Sequence, residues 1–152
     1  MKTYMPRILD KVLEKKLKII GCVLIEGCKW CGKSTTARRH AKSILELQNV
    51  DDKAKFDLIA KTKPSLFLEG EKPLLIDEWQ MYPVVWDAIR HDVDKSGLQG
   101  EYILTGSATP NEGTTMHSGT GRITRILMRP MSLYESEESD GMISLKDLFD
   151  KK

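Results

Sequence analysis

The stretch Gly27-Cys28-Lys29-Trp30-Cys31-Gly32-Lys33-Ser34 constrains this chain more than any other. Two glycines bracket four variable residues, and a Lys and a Ser follow directly. Upstream, Cys22-Val23-Leu24-Ile25 is a short apolar, partly β-branched run that reads as a buried strand. Downstream, residues 35–42 contain neither Gly nor Pro and can continue as a helix. A glycine-rich loop between strand and helix turns successive backbone N–H groups inward, and the helix start adds partial positive charge. Such a hollow binds phosphate. Lys33 would reach the β- and γ-phosphates, and the Ser34 hydroxyl would ligate Mg²⁺. The nucleotide-binding set then runs through Gly27, Cys28, Lys29, Trp30, Cys31, Gly32, Lys33, Ser34 and Thr35. An ordinary turn with an exposed Lys can carry the same letters, but the flanking strand and helix favour the phosphate reading.

At 152 residues the chain suits one domain with a real core. Hydrophobic residues at 40% and charged residues at 30% fit a globular rather than a disordered chain. A net charge of +2 supplies no global field for nucleic acid or an anionic membrane, so neither partner is indicated. No apolar run approaches the roughly 20 residues of a membrane span. Asp10, Lys11, Glu14, Lys15 and Lys16 interrupt any signal-peptide core. Cys22, Cys28 and Cys31 crowd together and cannot staple a fold, so a reducing cytoplasm is the expected location.

Along the chain, Pro6 suits a first helical turn, and Ile8, Leu9, Val12, Leu13 and Leu17 recur at helical spacing. Ile44–Leu47 reads as a second strand or as the end of the preceding helix. Asp51 and Asp52 can cap a helix over about Lys53–Lys61 that Pro64 ends. Pro73–Asp77 reads as a third, buried strand. Pro83 opens a helix whose Val85, Trp86, Ile89 and Val93 share one face, with Gly97 just past its end. Tyr102–Thr105 is a fourth strand closed by Gly106, Pro110–Gly121 a mobile loop, and Ile123–Met128 a fifth strand. Glu135, Glu137, Glu138 and Asp140 read as a solvated turn. Strands alternating with helices predict an α/β parallel sheet with its chemistry at the carboxyl ends of the strands.

Leu74-Leu75-Ile76-Asp77-Glu78 is the second motif that carries chemistry. A hydrophobic strand delivers Asp77 at its end, where it can hold Mg²⁺ together with Ser34. Glu78 follows directly and can polarise an attacking water as general base. The interval from Lys33 to Asp77 leaves room for a helix, an extra strand and a second helix. That spacing and the Asp-Glu pair resemble the additional-strand, catalytic-glutamate division of P-loop NTPases, to which AAA ATPases belong. In that division a polar residue ending the fourth strand orients the lytic water, a role open to Thr105 or Ser107 here. Arg122, after the Gly-rich loop, is a candidate finger or sensor for a γ-phosphate, its own or a neighbour's.

Taken in order, Tyr4-Met5-Pro6-Arg7, Trp30-Cys31-Gly32-Lys33, Leu75 to Gln80, Ile103 to Ser107, Gly121-Arg122 and Arg129 to Leu133 resemble a prokaryotic AAA-like ATPase. The resemblance covers nearly the whole chain. It implies a P-loop NTPase three-layer sandwich with a five-stranded parallel sheet of order 5-1-4-3-2. It also implies an N-terminal helical segment over 1–20 packed on the core, an ATPase core over 21–131, and the start of a C-terminal region over 132–152. ATP rather than GTP rests on the same resemblance, as no Asn/Lys-x-x-Asp guanine-reading motif is present. Such proteins generally have Pro where this chain has Cys28, a substitution the variable loop position accommodates. They also carry a helical lid and a further C-terminal domain of unknown function, so an isolated core or a shortened product is the expectation for these residues.

Cys28-Lys29-Trp30-Cys31 is also a redox and metal spacing. A zinc site would need two more ligands, and His40, His91 and His117 are scattered. Oxidation of the pair, closing the loop against nucleotide, is a further possibility raised by the spacing. Trp30 is expected to pack beside the first helix rather than stack on a base, and Trp79 and Trp86 to lie in the core. The leading reading is thus an ATPase in which Lys33 neutralises phosphate charge, Ser34 and Asp77 hold Mg²⁺, and Glu78 activates water. A homo-oligomer or a protein partner would use the hydrolysis. The alternatives are a nucleotide-dependent switch with negligible turnover and, more remotely, a small-molecule P-loop kinase.

Overall fold

The computed structural model describes residues 4–107, 119–142 and 144–150. Strand β1 (Cys22–Gly27) is apolar along nearly its whole length because both its faces and both its edges are covered. It pairs in parallel with β4 (Tyr102–Ser107) on one edge and β5 (Ile123–Leu127) on the other. Strand β3 (Leu74–Asp77) pairs with β4 and with β2 (Ser43–Glu46), giving a five-stranded all-parallel sheet of order β2-β3-β4-β1-β5. Read from the other edge, this is the order implied by the resemblance.

Alternate side chains of the sheet feed two cores, as the pleat requires. Cys22, Leu24, Leu74, Ile76, Tyr102 and Leu104 point to one face. There they meet Phe56 of α3 (Lys53–Thr62), Phe67 of a 3₁₀ turn over Pro64–Leu68, and Trp86 and Ile89 of α4 (Val84–Ser96). Val23, Ile25, Leu75, Ile103 and Ile126 point to the other, against Leu13 of α1 (Ile8–Leu17) and Ala37 of α2 (Lys33–His40). The result is three layers, helix on sheet on helix. A short α5 spans Leu145–Asp150.

Several sequence expectations are adjusted. Helix α1 starts at Ile8, not at Pro6; Arg7 caps it, its N–H donating to Asp10 Oδ2 at 2.7 Å. Only part of the apolar stripe is used, since Ile8 and Val12 are 60% and 39% exposed. Helix α2 stops at His40 because Ala41 is extended and the Lys42 N–H donates to Pro73 O at 2.9 Å, drawing the chain into β2 as a strand. Pro64 ends α3 and also begins the 3₁₀ turn that buries Phe67. Strand β4 runs through Gly106 to Ser107. Trp79 and Trp86 are buried, with ring centroids 5.0 Å apart. Trp30 does the opposite of packing on α1: it is 99% exposed. Residues 108–118, which hold most of the predicted loop and His117, lie outside the described residues. Among the described residues no helix is long and apolar enough to cross a membrane.

Candidate functional site

Because every strand is parallel, the carboxyl ends of β1, β3 and β4 open on one edge of the sheet. The loop from Gly27 to Gly32 leaves β1 there and enters α2. Gly27 has no room for a side chain: a Cβ would stand 2.3 Å from the Met128 carbonyl oxygen. Gly32 has φ +99°, and Trp30 between them has φ +67°. Left-handed residues alternating with ordinary ones turn consecutive N–H groups to one side, the geometry of an anion-binding nest. Trp30 also reverses the chain so that its ring, with Cys28 and Lys29, faces solvent. A bulky residue in that conformation is uncommon, and such strain is concentrated at functional sites.

Lys33 is buried and its ammonium donates to the carbonyls of Gly27 at 3.0 Å and Cys28 at 2.9 Å, so its charge sits inside the loop. The Ser34 hydroxyl donates to Asp77 Oδ1 at 2.7 Å, joining the start of α2 to the end of β3. The buried Thr105 hydroxyl donates to the same Asp77 oxygen and accepts the Glu78 N–H at 3.2 Å. Glu78 is itself left-handed, with φ 57° and ψ 49°, and its carboxylate accepts a hydrogen bond from the Gln80 amide. Ser34, Asp77 and Thr105 are hard oxygen donors brought together under the loop, a set suited to Mg²⁺ rather than to a soft metal. A cradle that a single Cβ would obstruct and this oxygen cluster beside it fit a magnesium nucleotide. Alongside, a cavity of about 460 Å³ is lined by Tyr4, Met5, Trp30, Thr35, Thr36 and Met131.

The structure therefore brings together Gly27 to Ser34, Asp77, Glu78 and Thr105, with Thr35 at the cavity. It does not bring Arg122 to them. Arg122 precedes β5, its carbonyl accepting the Cys22 N–H at the amino end of β1. The phosphate loop leaves the other end of that strand, roughly 16 Å away at about 3.3 Å per residue. Arg122 pairs instead with Asp94. Ser107 pairs through its backbone with Gly27, and its side chain is outside the described residues.

The motifs of the sequence give Arg7 no role of its own, and the Glu135 side chain, expected in a solvated turn, is instead largely buried. The Arg7 guanidinium is buried and donates to Cys31 O at 2.7 Å, Arg129 O at 2.8 Å and Glu135 Oε1 at 3.0 Å. Glu135 also accepts the N–H groups of Ile8 and Ser132, each at 2.8 Å. Burial alone would raise its carboxyl, but these bonds outweigh it and hold the group down at about 2. The one signal in the sequence was the position of Arg7 in the Tyr4-Met5-Pro6-Arg7 block. A second missed network joins Tyr4, Asp10, Thr36 and His40 behind α2, with the Tyr4 hydroxyl 2.7 Å from Asp10 and His40 Nε2 3.0 Å from it. Burial and its bond to Asp10 push the Tyr4 phenol up to about 12, although the bond to Thr36 works the other way.

A family model described as an AAA domain matches residues 21–137. Among curated proteins, two uncharacterized proteins, of Mycobacterium bovis and Mycobacterium tuberculosis, are each 31% identical over 113 residues, or 73% of this chain. The chain spans 25% of the length of each of these relatives. Among solved structures, a DNA replication initiation factor is similar with a TM-score of 0.48 and 14% identity, over 95% of this chain and 53% of that one.

Proposed function

The chain belongs to the AAA domain family, and on that premise we propose that it binds ATP with Mg²⁺ in the phosphate loop and hydrolyses it. The observation that carries this reading is the convergence of Ser34, Thr105 and Asp77 directly below the loop, with Glu78 next in the chain. Lys33 exchanges the carbonyls of Gly27 and Cys28 for phosphate oxygens, a step that costs little because its charge is already in place. Ser34 and Asp77 are the protein ligands for the metal, which when bound supplies charge neutralisation at the phosphates. Glu78 takes the proton of the attacking water as general base. The hydroxyl of Thr105 is engaged by Asp77 and by the Glu78 N–H, so it acts as a positioning residue for both. The nucleoside lies in the cavity beside Tyr4 and Thr35, whose volume is in the range of small-molecule sites. Arg122 enters this reading only in trans, toward nucleotide on a second copy. The proposed compartment is the cytoplasm, where three free thiols persist.

The test is single-turnover hydrolysis with matched binding measurements. Glu78→Gln is expected to retain ATP binding within about threefold and to lose hydrolysis by about 10²-fold or more. Lys33→Ala is expected to lose binding itself. Binding by the parent with no hydrolysis would replace the ATPase reading with that of a nucleotide-dependent switch. Unchanged binding in Lys33→Ala would remove the phosphate-loop assignment.

A further inference from the structure

We propose that Cys28 and Cys31 form a thiol–disulfide exchange site inside the phosphate loop, which takes small-molecule disulfides of the glutathione class and closes to an intramolecular disulfide. Phosphate binding uses the backbone of the loop, and neither sulfur has a part in it. The two residues flank the left-handed Trp30, where the chain doubles back. Each is anchored through its carbonyl, Cys28 by the Lys33 ammonium at 2.9 Å and Cys31 by the Arg7 guanidinium at 2.7 Å. The turn sets an exposed and a buried thiol on one loop, with the Cys28 thiol near enough to act on the charge balance of Cys31. Among the described residues no group of three or more His, Cys, Asp or Glu is gathered to hold a metal ion.

Their environments divide the labour. Cys28 is exposed and meets a solution disulfide first, whereas Cys31 is 5% exposed and packs under the loop. The Cys31 sulfur lies so close to Gly27 that a Cβ there would be 3.0 Å from it. Burial raises the Cys31 thiol, and the Lys33 charge offsets only part of that rise. Cys22 does not compete, because it is wholly buried in β1 and burial pushes its thiol well up. The chemistry is two exchanges. The Cys28 thiolate attacks one sulfur of the small disulfide, forming a mixed disulfide and releasing one thiolate. Cys31 then gives up its proton to solvent and attacks the Cys28 sulfur, releasing the second thiolate. Two protein thiols are oxidised and one small disulfide is reduced to two thiols.

The consequence for nucleotide rests on the function proposed above. Bonding to Cys28 draws the Cys31 sulfur from its seat against Gly27 and redirects the N–H groups of the loop between them. Oxidation and nucleotide binding then oppose each other, and by linkage each weakens the other by the same factor.

The experiment exposes the whole chain to glutathione disulfide, alkylates the remaining thiols and reads the intact mass. The parent is expected to lose two alkylation sites with no retained glutathione. Cys31→Ser should stop at a glutathione adduct on Cys28, and Cys28→Ser should stay unmodified. A parent that keeps both sites, or stops at the adduct, overturns the disulfide. In parallel, binding of a fluorescent ADP analogue to the oxidised parent should weaken by about tenfold or more and recover with dithiothreitol. Equal affinity in both redox states overturns the antagonism. If the reduced protein binds no nucleotide, the nucleotide reading fails, while the mass measurement still decides the disulfide.

Discussion

Arg7 and Glu135 carry opposite charges into nearly complete burial, with side chains 6% and 8% exposed. Removing one partner of such a pair strands the other without water, which costs more than the pair contributes. Arg7→Met is therefore expected to destabilise the fold by about 3–5 kcal/mol in urea unfolding. Adding Glu135→Leu should recover part of that loss; a double variant no more stable than Arg7→Met would mean that the pairing is not what stabilises the site. The exposed Arg38–Glu46 pair, 40% and 45% accessible, has no comparable leverage. The same contrast explains what single residues disclose in a sequence. Lys33, Ser34 and Asp77 were legible because loop spacing and strand ends are local properties. Arg7 was not, because its partners Cys31, Arg129 and Glu135 come to it only after the sheet has closed. Trp30 was misread because burial is the default for a large aromatic, and the backbone conformation that turns it outward leaves no trace in composition.

At the scale of elements, apolar runs located four of the five strands outright and left β2 open between a strand and a helix end, and the period of α4 named its buried face of Val85, Trp86, Ile89 and Val93. Element ends were less legible. The early stop of α2 depends on a hydrogen bond to Pro73, the residue before β3, which lies far ahead in the sequence. The meeting of β4 with the 3₁₀ turn over Trp79–Met81 is another such case. Gly106 lies where a Cβ would be 2.8 Å from Gln80 Oε1 and 2.9 Å from Trp79 Nε1. Gly106→Ala must push that turn away from the strand, and Glu78 with it, while the phosphate loop is left in place. The expected outcome is a fall in single-turnover hydrolysis of about tenfold or more with ADP affinity within about twofold. An equal loss in both would show that the turn supports the loop as well as the base.

The molecule as a whole joins its first helix to the segment after β5 through Glu135, and that junction makes its stability depend on acid. The Glu135 carboxyl titrates at about 2 in the fold against an ordinary value of 4.5. The folded state holds this proton less readily than the unfolded chain does. Its contribution is therefore complete above about pH 4.5 and is lost as pH falls toward 2. Between about pH 5 and pH 2.5 the parent's Tm should drop more steeply than that of Glu135→Gln. Asp10, also held below its ordinary range because its hydrogen bonds outweigh burial, remains in both proteins, so the difference isolates Glu135. Parallel slopes would exclude the junction as an acid-labile point. The sheet order bears on the time course of folding as well. Strand β1, which launches the phosphate loop, has no neighbour among the strands that follow it soonest; Cys22 pairs with Tyr102 and Ile123. A chain emerging from the ribosome therefore completes β2, α3, β3 and α4 before the loop's own strand has a partner on either edge. The part of the molecule proposed to do its chemistry must thus wait for distant chain before its strand is paired, and the two open edges of β1 need protection meanwhile.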